Sequence, residues 1–198
     1  MDITPYVVGN KSRIEVEEQR LLTFDLKQCT VPLFCVVNHH TASPTEVRRF
    51  GKTVPVDAAM IREWHKTKGW SDIGYHFVIM PDGRCEEGKP LYRPGAHCNV
   101  GHRNFIGIGI CLVGNFSETE VPDAKLSGLV TKVVRLMEAF KLGLESIELH
   151  RDVPGTATEC PGRYFPADVH LIMPIYHERG FEDTQDVKGN SIVASRDV

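Results

Sequence analysis

The sequence predicts an α/β fold in one domain: a mixed central β-sheet of about four to six strands with helices on both faces. Two apolar runs, residues 33–37 and 106–113, have the length and continuity of buried strands. Two longer stretches, residues 55–68 and 122–142, repeat their apolar residues at three- and four-residue spacings, as amphipathic helices do. Between them, Asp82-Gly83 is a hairpin signal.

The elements follow in order. Residues 1–32 are mixed and polar, with strand character at 20–26, and read as an extension packed on or near the main domain of residues 33–178. The run 33–37 ends in Asn38-His39-His40-Thr41. Side chains alternate along a strand, so Leu33, Cys35, Val37 and His39 share one face and His40 takes the other. Thr41 to Pro44 is a loop at the strand's end. In the first helix Ala58, Ile61, Trp64 and His65 share a face, which makes His65 a buried, hydrogen-bonded histidine, and Gly69 stands where a C-cap glycine would.

A strand over 75–80 would place Tyr75, Phe77 and Ile79 on one face and His76, Val78 and Met80 on the other. A loop carrying Pro94-Gly95-Ala96-His97 runs on to Asn104. The glycines of the 106–113 strand mark close approach by another backbone. In the second helix Leu126, Leu129, Val130, Val133, Leu136, Met137 and Phe140 form the core stripe. Lys125, Thr131, Lys132, Arg135 and Glu138 are expected off it. A short strand ends at His150, a loop rich in Gly, Pro and Thr follows, and a last helix is expected over 167–178. Residues 179–198 read as a polar tail, frayed from 182 onward.

Composition sets outer limits. The chain has 198 residues, 41% of them hydrophobic, enough for one sizeable core. A net charge of -3 supplies no broad basic field for nucleic acid or an acidic membrane surface. The first residues lack the basic and apolar regions of a secretory signal, and no apolar stretch approaches the ~20 residues of a membrane span. Six cysteines, two of them inside apolar runs, point to reduced thiols made in a cytosol and no disulfide framework.

The chemistry concentrates in His150 to Gly162, which offers an imidazole and, at Cys160, a thiolate. His39 adds a third donor from the end of a strand. Zinc prefers N and S donors, and a catalytic zinc keeps three protein ligands and one open position. His39, His150 and Cys160 therefore read as an open zinc site, with one zinc per chain. A buried cysteine is also commonly a small core residue, and spacing alone leaves both readings standing.

Val37-Asn-His39-His40-Thr41-Ala resembles the first zinc motif of the type-2 N-acetylmuramoyl-L-alanine amidases, which include phage amidase-type lysozymes and the peptidoglycan recognition proteins. The resemblance continues, in order, through Ile61-Arg-Glu-Trp-His65 and Gly69-Trp-Ser-Asp-Ile-Gly-Tyr75-His76-Phe77. Asp82-Gly83, Pro94-Gly-Ala-His97, Asn104-Phe-Ile-Gly-Ile-Gly-Ile, His150-Arg-Asp152 and Thr158-Glu-Cys160-Pro-Gly162 complete it, across residues 33 to 166.

The resemblance implies a zinc enzyme that hydrolyses the amide between N-acetylmuramic acid and L-alanine in bacterial peptidoglycan. It implies His39, His150 and Cys160 as metal ligands, and Tyr75 as the tyrosine facing the metal and the scissile carbonyl. Thr158 stands where phage members carry a lysine and many catalytic recognition proteins a threonine. His97 and Asn104 match positions lining the peptidoglycan groove. Asp152 either orients a ligand histidine or serves the turn. No Cys occurs between Thr41 and Arg84, where many animal recognition proteins place a pair, which favours a phage or bacterial lysin. Such a lysin, expected to be a monomer, would be made in the cytoplasm and act on the wall after release. Two other readings fit less well: an intracellular muropeptide-recycling amidase, whose third ligand is an aspartate, and a peptidoglycan receptor with a degraded metal site.

Overall fold

The computed structural model describes residues 32–167, together with the backbone of residues 181–185 and 191–195. Its elements are β1 (Cys35–His40), β2 (Glu46–Arg49), β3 (Lys52–Pro55), α1 (Ala58–Thr67), β4 (Phe77–Ile79) and β5 (Cys85–Glu87). They continue with α2 (Arg103–Ile106), β6 (Gly107–Leu112), α3 (Asp123–Phe140) and β7 (Ile147–Leu149). The main sheet has the order β5-β4-β6-β1-β7. β1 runs parallel to both β6 and β7, β4 runs parallel to β6, and only the edge strand β5 is antiparallel. The sheet is mixed, as expected.

Every residue of β1 and β6 is buried, as central strands covered on both faces must be. Alternate residues then serve different layers. Val36, Phe77, Ile79, Ile108, Ile110 and Leu112 pack beneath Leu129, Val130, Val133 and Met137 of α3. On the other face Val78 meets Ala58, Met60 and Ile61 of α1. Beside it, Cys35 and Val37 pack with Cys98 and Val153. One helix thus covers each face, and α1 leaves room beside it for loops at the carboxyl ends of the strands.

α1 begins where Asp57 accepts the Met60 N–H on its side chain at 2.7 Å, satisfying a free helix-end donor. It ends at Lys68, and Gly69 follows at φ +85°. His65 is buried and accepts the Gly74 N–H at 2.9 Å, as its place on the apolar face implied.

Several expectations need correction. Lys125 and Lys132 of α3 are buried, not solvent-facing. Lys125 donates from Nζ to the Val113 carbonyl at 2.7 Å, and Lys132 places Nζ 4.4 Å from the Phe77 ring centroid. Long aliphatic stems let lysines cross apolar surface, and an aromatic face attracts the ammonium. Between Thr41 and α1, β2 and β3 form an exposed ribbon that carries no core periodicity and turns at Phe50 and Gly51, with φ +50° and +77°. The Asp82-Gly83 turn is bracketed by Met80 N–H to Arg84 C=O at 2.8 Å, so the connection includes Pro81 as well.

At the C-terminus Phe181–Gln185 (β8) pairs antiparallel with Ser191–Ser195 (β9), so the tail is not simply frayed. The strand expected at 20–26 and the helix expected at 167–178 lie outside the described residues, apart from residue 167. The described cysteines, Cys35, Cys85, Cys98, Cys111 and Cys160, are free thiols.

Candidate active site

The carboxyl ends of two neighbouring parallel strands bring His39 and His150 together. His39 is the fifth residue of β1, and β7 ends at Leu149, whose register partner is Asn38. His150 opens the single helical turn that follows. The loop returns Cys160 to the same place: Arg151 N–H donates to the Cys160 carbonyl at 2.7 Å, and Thr156 Oγ1 donates to the His150 carbonyl at 3.0 Å. The Arg151 side chain donates onward to the Gly162 carbonyl. Neither Thr156 nor Arg151 stood out in the sequence as support for the ligands, although Arg151 lies inside the His150-Arg-Asp152 motif.

The ligand atoms of His39, His150 and Cys160 all lie within 4.8 Å of one another. His39 Nδ1 is 3.7 Å from Cys160 Sγ, and the His39 and His150 rings are 4.5 Å apart between centroids. His40 takes the opposite face, where its Nδ1 accepts the Phe116 N–H at 3.1 Å. Period-two alternation therefore decides which histidine of the pair enters the site.

Burial, followed by the neighbouring His97 and His150, holds the His39 imidazole well below its ordinary range, and burial lowers His150 as well. Both rings are neutral at pH 7 and keep a lone pair to offer. Burial pushes the Cys160 thiol up to about 11, against the pull of a hydrogen bond from the His40 backbone N–H and the Arg151 charge. Two neutral imidazoles and a thiol suit zinc with one position left open, and binding it would displace the thiol proton.

Tyr75 packs its ring 5.3 Å from that of His39. It joins the layer of Val78, not that of Phe77 and Ile79, because β4 begins only at Phe77 and alternation does not extend back to residue 75. Burial, then the neighbouring Cys111 and Cys160, raises its phenol well above the usual value. The hydroxyl therefore keeps its proton at neutral pH. Cys111 reads from sequence as core alone; its register opposite His39 places it in this layer.

Thr158 lines a cavity of about 490 Å³ with Ser117, Arg151, Glu159 and Arg163, and its hydroxyl accepts the Cys160 N–H at 3.2 Å. Asp152 is exposed and faces Arg151 at 3.9 Å, in the turn. His97 is buried, with Nδ1 3.1 Å from His39 Nε2 and Nε2 3.3 Å from the Gly107 carbonyl. Asn104 Oδ1 accepts the backbone N–H groups of His97 and Cys98, at 2.7 and 2.8 Å.

Comparison with known proteins identifies the family. The sequence profile of the family described as N-acetylmuramoyl-L-alanine amidase matches residues 31–163. An endolysin of Klebsiella phage KP32 is 36% identical over 112 residues, covering 55% of this chain and 72% of the endolysin. Among solved structures, the N-acetylmuramoyl-L-alanine amidase LysC from Clostridium intestinale superposes with a TM-score of 0.59 at 30% identity, over 75% of this chain and 85% of LysC. Bumblebee PGRP-SA superposes with a TM-score of 0.57 at 31% identity, over 69% of this chain and 80% of its own.

Proposed function

The chain belongs to the N-acetylmuramoyl-L-alanine amidase family and is an enzyme of that class, and we propose that it is a zinc-dependent lysin cutting the bond between N-acetylmuramic acid and L-alanine in bacterial peptidoglycan. The observation that carries this reading is the convergence of His39, His150 and Cys160 beside a partly buried tyrosine whose phenol keeps its proton. A metal-free amidase would have no use for three soft donors gathered around one point.

In this reading His39, His150 and Cys160 hold one zinc per chain. Bound there, zinc would supply Lewis acidity toward the carbonyl and lower the pKa of an attacking water towards ~7. Tyr75 donates its hydroxyl hydrogen bond to the carbonyl oxygen as negative charge builds on it. Its raised pKa keeps it a donor through the neutral range. Thr158 already accepts the Cys160 N–H, which leaves its own O–H free to donate to substrate. The cavity around Thr158 gives the stem peptide a place to lie.

The test is mass spectrometry of purified peptidoglycan after digestion, with chelator and with zinc restored. New L-alanine amino termini beside intact muramic acid, lost with chelator and regained with zinc, are the expected result. Cleavage within the glycan or between later residues of the stem would sink the proposal. So would release that is indifferent to chelation. Wall binding without any release would leave a receptor in its place.

A further inference from the structure

We propose that His97 is a positioning residue: through one ring-to-ring hydrogen bond it fixes the tautomer of His39, so that His39 Nδ1 presents its lone pair to the metal. The proposal rests on the zinc reading above and assigns a role to a buried group that the chemistry itself does not touch.

The tautomers follow from what each partner can do. A carbonyl oxygen only accepts, so the contact between His97 Nε2 and the Gly107 carbonyl, 3.3 Å, requires hydrogen on His97 Nε2. A neutral imidazole carrying hydrogen on Nε2 has its lone pair on Nδ1. That Nδ1 lies 3.1 Å from His39 Nε2, which must therefore be the donor. With its hydrogen on Nε2, His39 leaves Nδ1 bare, and Nδ1 is the atom 3.7 Å from Cys160 Sγ. One backbone carbonyl thus specifies, through two rings, which nitrogen of His39 can bind metal. Ring nitrogens of metal-binding histidines are commonly fixed in this way by an acceptor on the far side.

The surroundings hold His97 in this pose. A Cβ on Gly109 would fall 2.5 Å from the His97 ring, and one on Gly95 would fall 2.4 Å from it. The ring is therefore packed between two backbones that only glycine permits so close. Asn104 grips the backbone of His97 and Cys98 with a single oxygen, while its own carbonyl accepts the Gly95 N–H at 2.7 Å. His76, the other nearby ring, spends Nδ1 on the Gly109 N–H and Nε2 on the Arg93 carbonyl, so it does not compete. His97 and Asn104, whose places in the sequence suggested a groove wall, are on this account the support of a ligand.

Zinc affinity of His97→Leu and His97→Asn, measured by competition with a chromophoric chelator, tests the role. Asparagine can return an acceptor oxygen near the position of Nδ1, and leucine cannot. His97→Leu should bind zinc about 10- to 100-fold more weakly, while the metal-free protein, left with the Gly107 carbonyl and the His39 Nε2–H unpaired, melts lower but still cooperatively. His97→Asn should recover most of the affinity. Unchanged affinity in His97→Leu with a raised KM for muropeptides would overturn the proposal and make His97 a groove residue.

Should His97→Leu fail to fold, long-range proton–nitrogen spectra of the unmutated protein decide the matter. Hydrogen on Nε2 of both His39 and His97 upholds the proposal; hydrogen on Nδ1 of either overturns it. If the unmutated chain takes up no zinc, the metal reading fails on its own, and the same spectra of the metal-free protein still decide the ring-to-ring bond.

Discussion

Tyr75 joins packing to its proposed chemistry in one side chain, and removing a single oxygen separates them. Its ring packs with the Val78 layer and against His39, while its hydroxyl is the group that the proposed mechanism offers to the oxyanion. Tyr75→Phe keeps the ring, so zinc content, wall binding and stability should change little while turnover falls by roughly a hundredfold, the scale of one lost transition-state donor. Steady-state rates on soluble muropeptide alongside metal analysis check this. Normal turnover per folded molecule would make the tyrosine structural. The adjacent histidines give a second contrast. His39→Ala should abolish zinc binding. His40→Ala should retain zinc but strand the Phe116 N–H without its acceptor, a loss of about 1–3 kcal/mol readable by urea unfolding.

At the scale of elements, β6 supports the site through what it lacks. Gly109→Ala would place a methyl 2.5 Å from the His97 ring, and the ring must move. Overpacking of this kind costs about 1–3 kcal/mol, and weakened zinc binding should accompany it. Asp57→Ala, which removes only the cap of α1, should cost about 1 kcal/mol and leave activity per folded molecule unchanged. Thermal melts and zinc titrations of the two variants distinguish a site-bearing element from one that merely stands behind it.

The elements legible in the sequence are those whose burial marks the local sequence: a continuous apolar run in β1 and β6, and a helical period in α1 and α3. The β2–β3 ribbon exposes most of its residues, so no stripe announced it. Lys125 and Lys132 are buried against the charge pattern of the helix because a lysine's stem and its charge belong to different environments. The three proposed ligands were legible because each stands at the end of an apolar run or in a loop of distinctive composition. Cys111 beside Tyr75, and His97 behind His39, were not. Only the register of β6 against β1 and the path of the 95–104 loop bring them there, and neither register nor loop path is written in local spacing.

Over the whole molecule the same burial that keeps imidazoles neutral should make the fold sensitive to acid. Of nine histidines, His39, His40, His65, His76 and His97 are buried, and burial is the largest cause lowering each of them. Their unfolded counterparts titrate near 6.5, so the unfolded chain takes up protons first as pH falls. The stability these groups contribute is complete above about 6.5 and declines towards the folded values, about 4 for His76 and about 3 for His97. His76 is the clean case, since it is buried, binds no metal in this reading and spends both nitrogens on backbone groups. Moving from pH 7 to pH 5 should remove on the order of 2 kcal/mol through this residue alone, before most carboxylates titrate. Urea unfolding of the metal-free protein at the two pH values measures the loss. His76→Asn, with an oxygen able to accept the Gly109 N–H, should start less stable at pH 7 but lose distinctly less on acidification. Parallel losses in the two proteins would mean that the folded state lets His76 take its proton as readily as the unfolded chain does.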